Sequence, residues 1–352
     1  MTGSSPHPWD HPCWLILDVP SLFSNIDSLN PIDGFIDLRS SILARAWKFL
    51  AADLRRHGLK GLLIDGFVEP LDDRESRNNW IKLLTPPYPS GILPSAAREH
   101  YMIVIGHLSE AVLLSNQAQS SESRCAVFIR VRGSELTADG GNTGMLTILE
   151  VLPTLPMLTL QGFLLDEAFS SRKECDAFAN AVARLTDENR PLSIIGGDNG
   201  PLPPRFTTEK ILDHNILGLS SIPNQNIGAT LTLESWSYPI RSTGERLIVA
   251  IDLGSRYGFT RISGTRIFVE NQPAHLIKVE ERRMIFEMEN RPGCPAPWKT
   301  LLLGNNGISN IPPWDWDDEF GNHVIDNLGR HFPLYLHENE SYVEIPRIWN
   351  EL

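Results

Sequence analysis

The sequence predicts an α/β protein, with a mostly parallel sheet followed by a smaller, mainly antiparallel β portion and an acidic C-terminal tail. Three observations support this class. Short apolar runs alternate with amphipathic helical segments up to about residue 220. From Ala229 onward the segments are β-rich, with Gly and Pro between them. Residues 315–352 carry nine acidic and two basic residues.

Composition places the chain among folded globular proteins. Of its 352 residues, 41% are hydrophobic and 21% are charged, unlike the polar composition of disordered chains. No apolar run is long enough to cross a bilayer, and residues 1–12 lack the basic-then-apolar order of a secretory signal. A net charge of −12 disfavours binding to nucleic acid.

The four cysteines indicate a reducing compartment. Cys13, Cys125, Cys175 and Cys294 lie far apart and form no CxxC pair, and most of them lie in or beside apolar runs. Such cysteines are typical of buried, reduced thiols. We therefore expect a cytoplasmic protein that does not bind membranes.

The most regular helical pattern covers residues 40–58. Five apolar residues recur there at spacings of three and four, which places them on one helix face: Leu43, Ala46, Trp47, Leu50 and Leu54. Ser40 or Ser41 can cap the start, and Gly58 can adopt the left-handed conformation that ends a helix. Apolar runs at 13–20 and 59–69 flank this helix. The pattern predicts a strand, helix, strand unit whose strands pair in parallel.

The segments that follow are less regular. Residues 76–84 predict a short helix, 96–117 either one helix or a strand and a helix, and 144–152 either type. Apolar runs at 125–133, 157–167 and 191–198 predict strands. Between the last two, Ser171 and Glu174 form a capping-box pattern before an amphipathic helix that ends near Thr186.

These patterns divide the chain into four segments. Residues 1–12 are a flexible leader, 13–225 an α/β domain, 226–310 a β-rich domain, and 311–352 an irregular acidic segment containing tryptophans. One version of the α/β domain is a degenerate nucleotide-binding fold.

That version depends on the sequence Phe163–Glu167, which resembles a Walker B strand. In nucleotide-hydrolysing enzymes the Asp of this strand holds Mg²⁺ through water and the Glu polarises the attacking water, roles that would fall to Asp166 and Glu167. The phosphate-binding motif GxxxxGK[ST] is missing from the sequence. A nucleotide-binding protein without this loop stays an alternative, and a buried strand that caps the next helix is the favoured interpretation.

Aspartates recur where apolar runs end, at Asp18, Asp65, Asp166, Asp198 and Asp252. The carboxyl ends of parallel strands meet at one edge, where ligands bind. Convergence would give a metal site of Asp18, Asp65, Asp166 and Asp198, with Mg²⁺ as its ion. Aspartate also ends strands because it favours turns and helix caps, and this simpler explanation is preferred.

A second use of the same carboxylates is hydrolysis. Asp166 or Glu167, acting with Glu234, could supply the acid and the base or nucleophile of a barrel hydrolase. Residues 249–264 resemble the first phosphate loop of the actin and sugar-kinase superfamily, but its later motifs are missing, which favours an ordinary strand and glycine turn.

The acidic tail suggests a third class. Trp314 and Trp316 lie among Asp315, Asp317 and Asp318, and aromatic residues within a polar rim are typical of binding hot spots. The interpretation we favour from sequence is a non-catalytic interaction or regulatory protein, such as an accessory subunit or an immunity protein of a defence system. It would bind a protein with a basic surface and need no cofactor. The hydrolase and the nucleotide-binding protein stay alternatives.

Overall fold

Two compact units make up the chain in a computed structural model. The β-rich unit combines Met1–Asn30, Ser40–Ala51 and Asp213–Leu352, and the parallel-sheet unit combines Pro31–Arg39 and Ala52–Leu212. The structure describes residues 13–29, 34–39, 41–65, 80–86, 101–131, 144–165, 172–185, 191–196, 206–212, 214–217, 230–259, 266–289, 296–305, 310–311 and 318–345.

In these residues the strands are, in chain order, β1 (Cys13–Asp18), β2 (Gly34–Asp37), β3 (Leu59–Asp65), β4 (Ile81–Thr85), β5 (Tyr101–Ile105), β6 (Cys125–Val131), β7 (Leu158–Leu165), β8 (Leu192–Ile195), β9 (Phe206–Glu209), β10 (Ile211–Leu212), β11 (Leu231–Thr243), β12 (Arg246–Ile251), β13 (Arg266–Val269), β14 (Gln272–Val279), β15 (Met284–Glu289), β16 (Trp298–Asn305), β17 (Asn310–Ile311), β18 (Leu334–Glu338) and β19 (Ser341–Ile345). The α-helices are α1 (Val19–Leu29), α2 (Ser41–Arg56), α3 (Leu108–Ser120), α4 (Gly144–Val151), α5 (Arg172–Leu185) and α6 (Asp318–His331).

The parallel sheet closes nearly into a barrel. Strands β2 to β9 pair in chain order, and every pairing is parallel. β9 pairs with β8, whereas β10, which follows after Lys210, pairs with β2. The Phe35 amide donates to the carbonyl of Lys210 at 2.8 Å. β9 and β10 are thus two halves of one strand, and the sheet has the eight-stranded arrangement of a TIM barrel.

Side chains alternate between the two faces of this barrel. One cluster fills the interior and comprises Phe35, Leu63, Leu83, Val104, Phe128, Leu164 and Ile195. The residues next to them, such as Ile103, Val127 and Phe163, belong to an outer cluster with the apolar residues of α3, α4 and α5. Gly61 shows how tightly the interior is packed, because a β-carbon there would lie 2.0 Å from the ring of Phe35.

The β-rich unit contains a second closed arrangement. β11, β12, β15, β14, β13 and β16 pair in that order, and β16 pairs back with β11, so the six antiparallel strands form a ring. β1 adds to this sheet through an antiparallel pairing with β11, and β18 pairs in parallel with β1. Closure of the ring leaves few unpaired strand edges.

The predicted combination of a parallel α/β sheet and an antiparallel β portion is confirmed. The helix at 40–58 is α2, and Gly58 has a φ of 89°, the left-handed value expected where a helix ends. The strands predicted at 59–69, 125–133, 157–167 and 191–198 correspond to β3, β6, β7 and β8. The parallel sheet is a barrel, however, and not the open sheet of a nucleotide-binding fold.

Three local predictions are wrong. β1 does not pair with β3, because both its partners belong to the β-rich sheet. The described part of 76–84 contains strand β4, since a short apolar run does not distinguish a strand from a helix. The C-terminal segment is not irregular over its described residues, where α6 and the hairpin of β18 and β19 belong to the β-rich unit. The β-rich unit therefore combines residues from both ends of the chain, whereas the predicted segments follow one another along it.

A buried arginine joins α2 to the C-terminal elements. Arg45 is 3% exposed, and its Nη1 donates to the carbonyls of Gly329 and Phe332 at 2.6 and 2.9 Å. Its Nη2 donates to the carbonyl of Ile345 at 2.8 Å. The guanidinium therefore satisfies carbonyls at the end of α6, where the helix dipole favours a positive charge.

The start of α2 is held by the same helix. The Asp326 carboxylate accepts the backbone N–H of Ser41 at 3.0 Å, and the Ser41 hydroxyl donates to the Asp326 carbonyl at 2.8 Å. A β-carbon at Gly329 would lie 2.4 Å from the Ser41 hydroxyl oxygen, so a glycine is needed where the two helices approach each other.

None of the helices in the described ranges is both long and apolar enough to span a membrane.

We expect Arg45→Met to lower the free energy of unfolding by about 3 kcal/mol or more, because three buried carbonyls lose a charged donor. Arg56→Met is the matched control on α2, since its side chain is 75% exposed and its loss should change stability by less than about 0.5 kcal/mol. The measurement is the denaturant midpoint by circular dichroism. Equal midpoints for the two variants would contradict the role of Arg45.

Candidate functional site

Polar side chains occupy inward positions at the carboxyl ends of alternate barrel strands. Among the described residues, these are Asp37 on β2, Thr85 on β4 and Arg130 on β6. Asp37 is paired with Leu63 and Arg130 with Leu164, and both partners belong to the interior cluster. Paired residues of neighbouring strands share a face, so Asp37 and Arg130 face the interior.

Alternate strands of such a barrel contribute side chains to the same layer, and ligands bind at the carboxyl-terminal face. We call Asp37, Thr85 and Arg130 the rim. Its polar character contrasts with the apolar interior cluster one layer below.

Arg39 fixes the carboxylate of Asp37. The Arg39 Nε donates to both oxygens of Asp37 at 2.9 and 3.1 Å, and Nη2 donates to Oδ2 at 2.6 Å. The backbone N–H of Arg39 also donates to Oδ1 at 2.9 Å. Asp37 is 7% exposed, whereas the Arg39 side chain is 36% exposed. This bidentate pair places a partly accessible guanidinium beside the end of β2.

A carboxylate, that of Glu110, lies on the same side of the barrel as Arg130. A β-carbon at Gly106 would lie 3.7 Å from the Arg130 Cδ and 3.8 Å from the Glu110 Oε2, so both side chains flank this glycine. Glu110 accepts the backbone N–H groups of Gly106 and His107 at 2.7 and 3.1 Å, which fixes it at the start of α3. Arg130 of the rim and Glu110 of α3 thus flank the same glycine, next to the ends of β5 and β6.

The rim also contains a neutral donor that is already engaged. The Thr85 hydroxyl donates to the carbonyl of Ile64 at 3.2 Å. This hydrogen bond ties the ends of β4 and β3 together. The charged residues are therefore the ones that a ligand would meet as specific partners.

Most of the residues predicted from sequence are not described. Asp166, Glu167, Asp198, Trp314, Asp315, Trp316 and Asp317 lie outside the described residues. Asp65 is the last residue of β3 and Asp318 the first residue of α6. Their assignment to catalysis, metal binding or partner binding stays a prediction.

Asp18 lies in the β-rich unit, at the end of β1. It does not share a sheet with Asp65, so the argument from a common sheet edge does not apply to it. Its Oδ2 accepts the backbone N–H of Ser21 at 3.1 Å, which caps α1, and its Oδ1 lies 3.0 Å from the Nδ1 of His337. The ring of His337 stacks on Tyr342 with centroids 4.8 Å apart. These contacts give Asp18 a structural role.

Glu234 lies within β11 in the same unit. It is 9% exposed, accepts the indole N–H of Trp14 at 2.9 Å and forms an ion pair with Lys299 at 2.8 Å. Both contacts are cross-strand and compensate the burial of the carboxylate, and the assignment of Glu234 to catalysis stays a prediction. Among the residues that the structure describes, no group of three or more His, Cys, Asp or Glu side chains could hold a metal ion.

Sequence reasoning missed the rim. Asp37 ends the apolar run Gly34–Asp37 in the same way as the aspartates that were singled out, and only the shortness of the run concealed it. Arg130 interrupts the apolar run of β6, and a lone charge within a buried strand was a usable signal. The contribution of Glu110 depends on folding, because it comes from the next helix.

The fold matches that of alanine racemase along nearly the whole chain. The enzyme from the D-cycloserine-producing Streptomyces lavendulae has a TM-score of 0.71 at 11% identity, covering 96% of this chain and 98% of that one. Alanine racemase of Clostridium difficile 630 gives 0.68 at 14%, covering 96% and 99%. The Bartonella henselae enzyme, with covalently bound pyridoxal phosphate, gives 0.68 at 12%, covering 94% and 100%. No protein-family model and no curated protein matches the sequence.

These matches overturn the favoured functional interpretation. The interpretation as a non-catalytic interaction, immunity or defence protein is contradicted, since both units match the fold of alanine racemases. The expectation of no cofactor is contradicted by the same comparison, because one of the matched enzymes carries pyridoxal phosphate. The acidic composition of the C-terminal segment contains no information on the fold or on a cofactor, which is why the sequence interpretation was wrong on both. The chain has the alanine racemase fold, a parallel barrel with an antiparallel β domain.

The contacts of Asp18 predict a dependence of stability on pH. Burial acts to raise the pKa of Asp18, but hydrogen bonds from Ser21 and His337 outweigh burial and bring the pKa below its ordinary value. The ionised carboxylate therefore stabilises the fold above the ordinary pKa of about 4, and this contribution is lost as pH falls through the lower folded pKa.

Asp18→Asn should consequently be less stable than the wild type at pH 7, with a smaller difference at about pH 3, because asparagine keeps the helix cap but not the charge. Denaturant midpoints at the two pH values measure this. Glu340→Gln, which removes an exposed carboxylate at the β18–β19 turn, is the control and should show no such change. A difference for Asp18→Asn that does not vary with pH would contradict the assignment.

Proposed function

We propose that the protein is an enzyme that acts on an amino acid or a similar small zwitterion at the rim of its parallel barrel, as an isomerase. The full-length match to alanine racemases supports this proposal. Because one fold can serve many reactions, the match alone does not carry it. The observation that carries it is that Arg130 and Glu110 flank the same glycine, Gly106, at the carboxyl end of the barrel.

The chemistry of the rim suits such a ligand. The guanidinium of Arg130 can bind a carboxylate through two parallel hydrogen bonds, and the carboxylate of Glu110 is complementary to an ammonium group. Arg39 adds a second guanidinium, already fixed by Asp37. Charged groups at this face are what orient a substrate in barrel enzymes.

The cofactor that the comparison points to is pyridoxal phosphate. When bound, it stabilises negative charge at the α-carbon of an amino acid, and enzymes attach it through a lysine Schiff base. The sequence places no lysine between the end of any barrel strand and the following helix or segment, over 38–40, 66–80, 86–100, 106–107, 132–143, 166–171, 196–205 and 213–229. The residues of the rim do not fit this covalent attachment.

The location that we propose is the cytoplasm. Cys13, Cys125 and Cys175 are buried thiols without disulfides, as expected of a reducing compartment. Burial raises the pKa of each of these thiols, which keeps them protonated and unreactive.

Binding of a basic protein through residues 314–318 also stays a proposal.

The test is conversion between L- and D-amino acids, measured by chiral chromatography for alanine, serine and glutamate, with and without added pyridoxal phosphate. Arg130→Gln should raise KM by about 10- to 100-fold, since a charge-assisted hydrogen bond to the substrate is lost. Arg124→Gln is the matched control, because Arg124 is exposed and precedes the amino end of β6. Equal effects of the two substitutions, or no turnover and no binding of any of these amino acids by calorimetry, would refute the proposal.

A further inference from the structure

The lysines of this chain lead to an inference about how its cofactor is held. The sequence contains seven, and each lies among the described residues: Lys48, Lys60, Lys82, Lys173, Lys210, Lys278 and Lys299. A Schiff base needs an uncharged lysine Nζ at the place where the ligand binds. Each lysine can therefore be tested against the position of the rim.

Lys82 is the most buried of them, at 2% exposure. It is the second residue of β4 and therefore lies at the amino end of that strand, away from the rim. Its neighbour Leu83 belongs to the interior cluster, so alternation places Lys82 on the outer face of the barrel. Its Nζ lies 4.9 Å from the ring centroid of Tyr101, the residue with which it is paired.

Lys60 is also at an amino end. It is the second residue of β3, and its Nζ donates to the Glu209 carboxylate at 2.7 Å. This contact holds the Lys60 Nζ at Glu209. Lys173 is the second residue of α5 and is exposed.

Lys210 comes closest to a carboxyl end, two residues before the end of β10. Ile211 packs against the interior cluster, so the alternation of the strand turns Lys210 to the other face. The remaining three lysines are exposed and belong to the β-rich unit. Two of these form ion pairs at 2.8 Å, Lys278 with Glu280 and Lys299 with Glu234.

We infer that no lysine of this chain forms a Schiff base at the rim, so that pyridoxal phosphate bound there is held by non-covalent contacts and exchanges with solution. This inference rests on the proposed function, since it concerns the same site. It distinguishes the chain from the Bartonella henselae enzyme, in which pyridoxal phosphate is covalently bound. Arg39, which is fixed by Asp37 beside the rim, is a cationic partner for the phosphate of the cofactor, and Arg130 stays the partner of the substrate carboxylate.

The experiment uses the full chain incubated with pyridoxal phosphate, followed by gel filtration, borohydride reduction and peptide mapping by mass spectrometry. Borohydride converts a Schiff base into a permanent label on its lysine. We expect gel filtration to remove the cofactor. If borohydride is added before gel filtration, we expect the label to be sub-stoichiometric and spread over the exposed lysines. The Bartonella henselae alanine racemase, treated in parallel, should keep a stoichiometric label.

One lysine labelled stoichiometrically after gel filtration would overturn the inference. Mapping on the wild type identifies that lysine directly, so the result does not depend on a variant that folds. Lys82→Met and Lys173→Met, a buried and an exposed lysine, should release the cofactor as fast as the wild type does. Racemase turnover without a stoichiometric lysine label supports both proposals. Turnover together with such a label overturns only the inference. If the protein shows neither turnover nor label, only the proposed function is overturned.

Discussion

Backbone hydrogen bonds on both sides of one interrupted strand hold the parallel sheet closed. β9 pairs with β8, β10 pairs with β2, and the carbonyl of Lys210 at the break accepts the amide of Phe35. Closure matters because it brings the carboxyl ends of all strands around one opening. On an open sheet, Asp37 on β2 would belong to one edge, and the layer that it shares with Thr85 and Arg130 would not exist.

Fold and chemistry give different information about this protein. The match to alanine racemases covers both units, yet identities of 11–15% leave room for replacement of almost every side chain that carries function. Arg130 of the rim and Glu110 of α3 flank one glycine at the carboxyl end of the barrel, while the lysines lie elsewhere on the sheets and helices. Architecture can persist while functional side chains change, because the barrel depends on apolar alternation and backbone pairing.

Local patterns predicted much of the secondary structure and little of the site. The periodicity of α2 and the apolar runs of β3, β6 and β7 are encoded within each segment, which is why they could be recognised. The pairing of β1 with β11 and β18 joins residues far apart in sequence, and no local signal specifies it. The rim likewise depends on contacts between residues that are far apart in sequence. Asp37, Arg130 and Glu110 are unremarkable one by one and gain meaning only when closure of the barrel and docking of α3 bring charges to one face.

The contacts of Arg45 have a consequence for synthesis on the ribosome. Its three acceptors lie 284, 287 and 300 residues further along the chain. At translation rates of about 5–20 residues per second, this guanidinium waits roughly 15–60 s in water before its partners have been made. The parallel sheet, by contrast, has all its strands once Leu212 emerges. The nascent chain therefore contains every described barrel strand while the β-rich unit still lacks its last hairpin. A chain released before Ile345 would leave the Arg45 guanidinium without its final acceptor.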